Sequence, residues 1–262
     1  MKHKNSILFT IIFLMLITFD SSYNKVMAQS NQSSQPNTLT QEQKDDGWTL
    51  LFDGKTTNGW REVWGSQFPD ENWVVRNGTL TVMASNGEQG GSGGSIVTKN
   101  EYSDFEFKAD FKLTKAANSG IKYFVVEDKS FFKTNPNLTK GMGIGLEYQV
   151  LDDKNHPDAH EGVNGNRTTA SLYDMIPAAK DKKLNPPGEW NHARIISKGT
   201  HVEHWLNGEK VLEYERGSDS FRALVDNSKY RYKNFGLAPK GHILLQNHGT
   251  EVSFRNVMIK NL

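Results

Sequence analysis

The sequence contains no cysteine, which excludes disulfide bridges, thiolate metal centres and a lipidated N-terminal cysteine. Its formal net charge is only +1. Neither a nucleic acid nor an anionic membrane surface is therefore an expected partner, because both call for a basic patch. Long apolar runs are missing too: the stretch from Ile7 to Phe19 is too short to span a bilayer, which takes about 20 residues as a helix. No convincing amphipathic helix stands out, and no internal repeat, which argues against a propeller.

What is present begins with a compartment signal. Lys2, His3 and Lys4 precede the Ile7–Phe19 run and Val26-Met27-Ala28 supplies a small-residue cleavage site, so 1–28 reads as a signal peptide and the protein as periplasmic or secreted. Residues 29–43 are rich in Ser, Asn and Gln and read as a linker, having too little apolar surface to order themselves. Residues 44–262 remain, about 220 in number and enough for one well-cored domain.

That domain reads as strands. Asn72 to Met83 holds two apolar-rich runs broken at Asn77-Gly78, and a second such pair stands at Asn207-Gly208; both residues tolerate positive φ and favour tight hairpins. Phe105, Phe107, Ala109, Phe111 and Leu113 alternate with Glu106, Lys108, Asp110 and Lys112, a period of two that puts one face in the core and the other in water. Further runs at 121–126, 144–151, 171–175, 192–197, 202–206, 210–214, 242–246 and 252–259 bring the total to about a dozen strands. The expected fold is all-β, a sandwich of two antiparallel sheets. The glycine-rich stretch 87–95 is too flexible to be a strand and is expected to be a mobile loop; no helix follows it, as a phosphate cradle would need.

An outward sheet face that curves into a groove is where an extended ligand lies. Along GLEYQVLDD, Leu146, Tyr148 and Val150 take the core face and leave Glu147 and Gln149 on the other. In GHILLQNHG, Ile243 and Leu245 point inward while His242, Gln246 and His248 point out. Such residues are ordinary on a solvated face and informative in a groove. Of the six tryptophans, Trp48 and Trp73 fit the core, whereas Trp60, Trp64 and Trp190 lie near turns where an indole can stack on a sugar ring. One loop gathers Asp152, Asp153, His156, Asp158 and His160. Its H-x-x-x-H spacing aims two rings at a zinc ion only on a helix, and Pro157 argues against one. A calcium site and a groove cap with proton-carrying histidines are both compatible with these residues. The sequence leaves metal binding undetermined and implies no cofactor.

Seven segments in order carry a resemblance: 47–60, 118–124, 145–153, 171–177, 188–195, 204–211 and 241–262. Across them the chain resembles the 3-keto-disaccharide hydrolase domain family. The resemblance implies a concanavalin A-like jelly-roll sandwich in an extracytoplasmic bacterial protein, acting on a small carbohydrate that carries a ketone at carbon 3. It puts the family's polar residues at Asn118, Glu147, Gln149, Asp152, Tyr173, Gln246, His248 and Arg255. Where relatives often carry an arginine after Asn-Ser-Gly, this chain has Lys122, a different donor in shape and hydration.

Ordinary glycosidases set two carboxylates a fixed distance apart, yet Glu147 is followed by Gln149 and Asp152 has the opposite strand phase. A 3-keto sugar needs less, because the ketone acidifies the proton on carbon 2. One base removes it, the glycosidic oxygen leaves by β-elimination, and water adds to the enone. Glu147 or His248 is the expected base. Gln149, Gln246 and Arg255 are the expected donors to the enolate oxygen, and His160 or Tyr173 the acid toward the leaving group. Asn118, Lys122, Asp152 and Trp190 complete the expected substrate contacts. Two other readings are a non-catalytic lectin-like module and a two-carboxylate glucanase.

Overall fold

The computed structural model describes residues 35–85, 94–128, 143–231 and 234–262, and Pro36–Leu262 forms one compact unit. The expected signal peptide, residues 29–34 of the expected linker and all but Gly94 and Ser95 of the glycine-rich loop lie outside the described residues. Among those described, no helix is long and apolar enough to cross a membrane.

In chain order the strands are β1 (Thr49–Leu50), β2 (Trp60–Glu62), β3 (Trp73–Arg76), β4 (Thr79–Val82), β5 (Ile96–Thr98), β6 (Phe105–Leu113) and β7 (Asn118–Val126). They continue with β8 (Ile144–Leu151), β9 (Trp190–Lys198), β10 (His201–Leu206), β11 (Glu209–Glu215), β12 (His242–Leu245) and β13 (Val252–Asn261). Two antiparallel sheets result. The larger runs β11-β10-β9-β6-β13-β4-β3, with β1 also on β13, and the smaller runs β2-β5-β12-β7-β8. Both Asn-Gly pairs close hairpins with positive φ at each residue, 52° and 72° at Asn77-Gly78 and 50° and 86° at Asn207-Gly208, the backbone that matches strand twist.

The core lies between the sheets, where Phe107, Phe111 and Ile195 of the larger meet Ile121, Leu146 and Tyr148 of the smaller. Alternation on β6 is as expected, but its outer face is not simply solvated. Glu106 and Asp110 are each 6% exposed. Arg194 holds Glu106 at 2.6 Å, and His192 and Arg255 hold Asp110 at 2.6 and 3.1 Å. A bulge on β7, with Phe124 at φ 52°, lets consecutive Tyr123 and Phe124 both pack inward against Phe105.

Three local readings change. The expected linker is docked from Asn37 onward: Asn37 and Asn256 exchange N–H···Oδ1 bonds at 2.6 and 2.8 Å, and Asn37 Nδ2 donates to Gly78 O at 2.8 Å. Side-chain amides do there what apolar burial does not, and a short helix, α1 (Gln41–Asp45), follows with a Thr40–Gln43 capping box. A second helix, α2 (Asp219–Asp226), is capped by Ser218 and buries Phe221 and Val225, an i, i+4 pair too short a signal for the pattern to stand out. The run 171–175 is no strand; Leu172 makes isolated bridges to Tyr148 and Ile176, and Ala170 and Asp174 sit at φ 67° and 62°.

Candidate active site

The outer face of the smaller sheet carries a pocket of about 240 Å³ lined by Asn118, Glu147, Gln149, His156, Asp158, Tyr173, Lys229, Gln246 and His248. Its floor follows from strand alternation. On β7, Ile121 and Tyr123 enter the core, so Asn118, Gly120 and Lys122 face out; on β8 the same rule exposes Glu147 and Gln149 to the pocket. The register sets Lys122 opposite Glu147 and Gly120 opposite Gln149. Gln246 follows β12, its N–H bonded to Gly120 O at 2.9 Å and its C=O accepting Ser119 Oγ at 2.8 Å. A Cβ at Gly120 would stand 2.4 Å from Glu147 Oε1 and 3.1 Å from Gln246 Oε1, so a larger residue there has to displace the carboxylate.

Glu147 and Lys122 form a buried pair, 4% and 1% exposed, with Nζ 3.5 Å from Oε2. Tyr230 Oη donates to the same oxygen at 3.4 Å. Gln149 Oε1 accepts the Val150 N–H at 3.1 Å, leaving its NH₂ group to donate elsewhere. Gln246 Oε1 is buried with no donor among the described residues, an acceptor on the wall of a polar pocket whose natural partner is a hydroxyl.

Loops form the rim. His156 caps the 3-10 turn Pro157–His160, its Nδ1 accepting the Asp158 N–H at 3.1 Å; in the neutral ring the proton is then on Nε2. Its ring stands perpendicular to that of His248, centroids 6.5 Å apart. Burial holds both imidazoles below their ordinary value, opposed by the charge of Glu147 at His248 and of Asp158 at His156. Asp158 accepts from Arg167 Nη1 and from Tyr173 Oη, both at 2.9 Å. Burial, reinforced by Glu147 and Asp158, pushes the Tyr173 phenol far above its usual range. Arg167 Nε also donates to Asp174 Oδ1 at 2.8 Å, and Asp174 Oδ2 accepts the Lys229 N–H at 2.8 Å.

Residues 47–260 match the family of 3-keto-alpha-glucoside-1,2-lyase-like domains. The chain belongs to that family. A 3-keto-disaccharide hydrolase of Bacteroides thetaiotaomicron is 37% identical over 232 residues, which are 83% of this chain and 79% of the relative. A crystal structure from Parabacteroides distasonis, ascribed to a glycosyl hydrolase, superposes with a TM-score of 0.74 at 34% identity, covering 87% of this chain and 100% of the other. A second so ascribed from the same organism gives 0.61 at 29%, covering 82% and 99%.

Within this family member, six expected site residues line one pocket: Asn118, Glu147, Gln149, Tyr173, Gln246 and His248, with Lys122 paired beneath them. Four lie elsewhere. Asp152 binds the N–H groups of Ala116, Lys154 and Asn155 and so staples its own loop. His160 is exposed, because four residues in a 3-10 turn carry it round to a different side from His156. Trp190 and Arg255 stack on each other, 4.0 Å from guanidinium to ring, on strands of the larger sheet. Trp60 is a core residue and Trp64 packs beside Val63, Val97, Val125 and Leu244. Sequence reasoning missed Asp158, Lys229 and Tyr230 as site residues, and of the two loop histidines it took His160 as a site acid, whereas it is His156 that lines the pocket. Asp158 also corrects the expectation that no second carboxylate accompanies Glu147, although both its oxygens are already held by Arg167 and Tyr173. Among the described residues, the cluster with metal-binding spacing is His201, Glu203 and Glu213, and Lys210 already pairs with both acids there.

Proposed function

We propose that the chain cleaves glycosidic bonds of 3-keto-glycosides, 3-keto-disaccharides among them, by β-elimination followed by hydration. Family membership and the Bacteroides relative's activity support a glycoside-cleaving enzyme acting on a small sugar. The observation that carries the mechanism is the pairing, in one polar pocket, of a neutral half-buried histidine with a buried glutamate, while the second carboxylate is already bound on both oxygens.

His248 is the base. Burial keeps its imidazole free to accept a proton near neutral pH, and the Glu147 charge stabilises the imidazolium once the carbon 2 proton has arrived. His156, with its proton on Nε2, donates a hydrogen bond to the departing glycosidic oxygen, which takes its proton from solvent. The Gln149 amide donates to the substrate, and Gln246 Oε1 accepts from a sugar hydroxyl. Hydration reverses the sequence: water adds to carbon 1 and gives up a proton to solvent, and His248 returns its proton to carbon 2. The substrate has first to enter through the rim formed by the 156–160 turn and Lys229.

Asp158 in the same pocket favours one competing reading, a conventional displacement by two carboxylates. A 3-keto-disaccharide deuterated at carbon 2 separates the two. Elimination predicts slower turnover or exchange of the label with solvent, and an inert unmodified disaccharide. Full retention of deuterium in the released sugar, with no rate effect, would refute elimination.

A further inference from the structure

The pocket holds two lysines in different electrostatic circumstances. Lys122 is 1% exposed and its charge is matched by Glu147 at 3.5 Å. Lys229 sits at the rim, exposed as a residue but with its ammonium 4.1 Å over the Tyr173 ring and 5.3 Å from that of Tyr230. Among the described residues that ammonium has no carboxylate within ion-pair distance. Loop anchoring does not account for it, because the main-chain N–H of Lys229 already binds Asp174. An ammonium with its N–H donors unspent, held against aromatic faces on the wall of a pocket, is preorganised for negative charge that develops later.

We propose that Lys229 is a catalytic residue whose ammonium donates to the ketone oxygen on carbon 3 of the substrate and stabilises the enolate formed when the carbon 2 proton leaves. The inference rests on the elimination reading above. As the C2–H bond breaks, its electron pair forms the C2–C3 double bond and the carbonyl pair moves onto oxygen. As the C1–O bond breaks, the oxygen pair returns to reform the carbonyl, the C2–C3 pair moves to form the C1–C2 double bond of the enone, and the aglycone oxygen leaves with the bonding pair, to be protonated. No electrons are gained or lost overall, and Lys229 keeps its proton throughout. The groups facing it are Glu147 and Lys122 from the floor, Tyr173, Asp158 and Asp174 from the rim loops, and Tyr230 beside it. Burial outweighs the acids among them and draws the ammonium below the ordinary lysine value.

The test is Lys229→Met and Lys229→Arg assayed on a 3-keto-disaccharide. Charge that grows only in the transition state is lost from kcat, so Lys229→Met should lower kcat by about 10²–10³-fold, with KM moving by about tenfold at most. Wild-type activity should fall at alkaline pH, below where a free lysine titrates; in Lys229→Arg, whose guanidinium stays charged, that alkaline limb should vanish. This profile decides the question even if Lys229→Met folds poorly. A wild type that cleaves the 3-keto substrate while Lys229→Met stays within about threefold of its kcat overturns the inference and leaves the elimination reading standing. A wild type inert on the 3-keto substrate sinks both. A borohydride-trapped sugar on Lys229 would also overturn it, by showing an amine nucleophile in place of a charged donor.

Discussion

His204 offers a quantitative check on the packing beneath the pocket. The residue is fully buried in the core. Its Nδ1–H donates to Ala170 O at 2.9 Å, and its Nε2 accepts from the Tyr123 hydroxyl at 2.7 Å, whose oxygen lies 2.6 Å from that of Tyr214. The ring is thus neutral with both nitrogens satisfied, and burial lowers its pKa from 6.5 to about 4. The unfolded chain takes up this proton near pH 6.5, so between the two values the unfolded state binds more protons and stability rises with pH. Acidification across that window should remove about 1.4 kcal/mol per pH unit, about 3 kcal/mol in all. For a domain of this size that is a fall of roughly 6–12 °C in melting temperature. His156 and His248, also lowered, contribute with the same sign, whereas His192 and His201 are raised by Asp110 and Glu215 and contribute with the opposite one. The measurement is therefore a difference: thermal midpoints of wild type and His204→Gln from pH 7 to pH 4. The variant starts less stable, but its midpoint should depend less steeply on pH by the amount above. Parallel curves for the two proteins would refute the buried neutral histidine.

Two further predictions follow from the floor. Glu147→Gln should lower turnover by about 10²-fold or more and, because it leaves Lys122 buried without its carboxylate, destabilise the domain by about 3–5 kcal/mol. The double variant Lys122→Met/Glu147→Gln should recover much of that stability in denaturant titrations and none of the activity, and a Glu147→Gln protein as stable as wild type would contradict the buried pair. Gly120→Ala puts a methyl 2.4 Å from Glu147 Oε1, so it should cut kcat/KM by about tenfold or more with an unchanged β-type circular dichroism spectrum; wild-type kinetics would mean that the carboxylate does not rest against Gly120.

The floor of the pocket was legible in the sequence because period-two alternation is a local property. Once Leu146, Tyr148 and Val150 are core, Glu147 and Gln149 have only the other face, and the same holds for Gln246 beyond Ile243 and Leu245. Alternation does not say which sheet a face belongs to. Arg255 faces outward on β13 as correctly as Gln246 does after β12, but β13 pairs with β6 and β4 in the larger sheet while β12 pairs with β7 and β5 in the smaller. Partner choice over long sequence separations decides this, and nothing within either strand encodes it.

The rim was illegible for a different reason. His156, Asp158, Tyr173 and Lys229 come from three separate irregular segments, and one relay of charge aligns them: Asp174 holds the Lys229 N–H and the Arg167 Nε, Arg167 holds Asp158, and Asp158 holds the Tyr173 hydroxyl. Asp174 can serve both partners because its backbone lies in the left-handed region, φ 62°, a conformation that aspartate tolerates better than most residues. In the sequence that arrangement shows only as one more acid after Tyr173. The chemistry assigned to the floor therefore depends on a rim whose geometry is set by ion pairs together with the packing of Leu172, Tyr173 and Tyr230 into the core. Because the four groups share these partners, replacing Asp174 should loosen Lys229 and, through Arg167 and Asp158, the Tyr173 hydroxyl together.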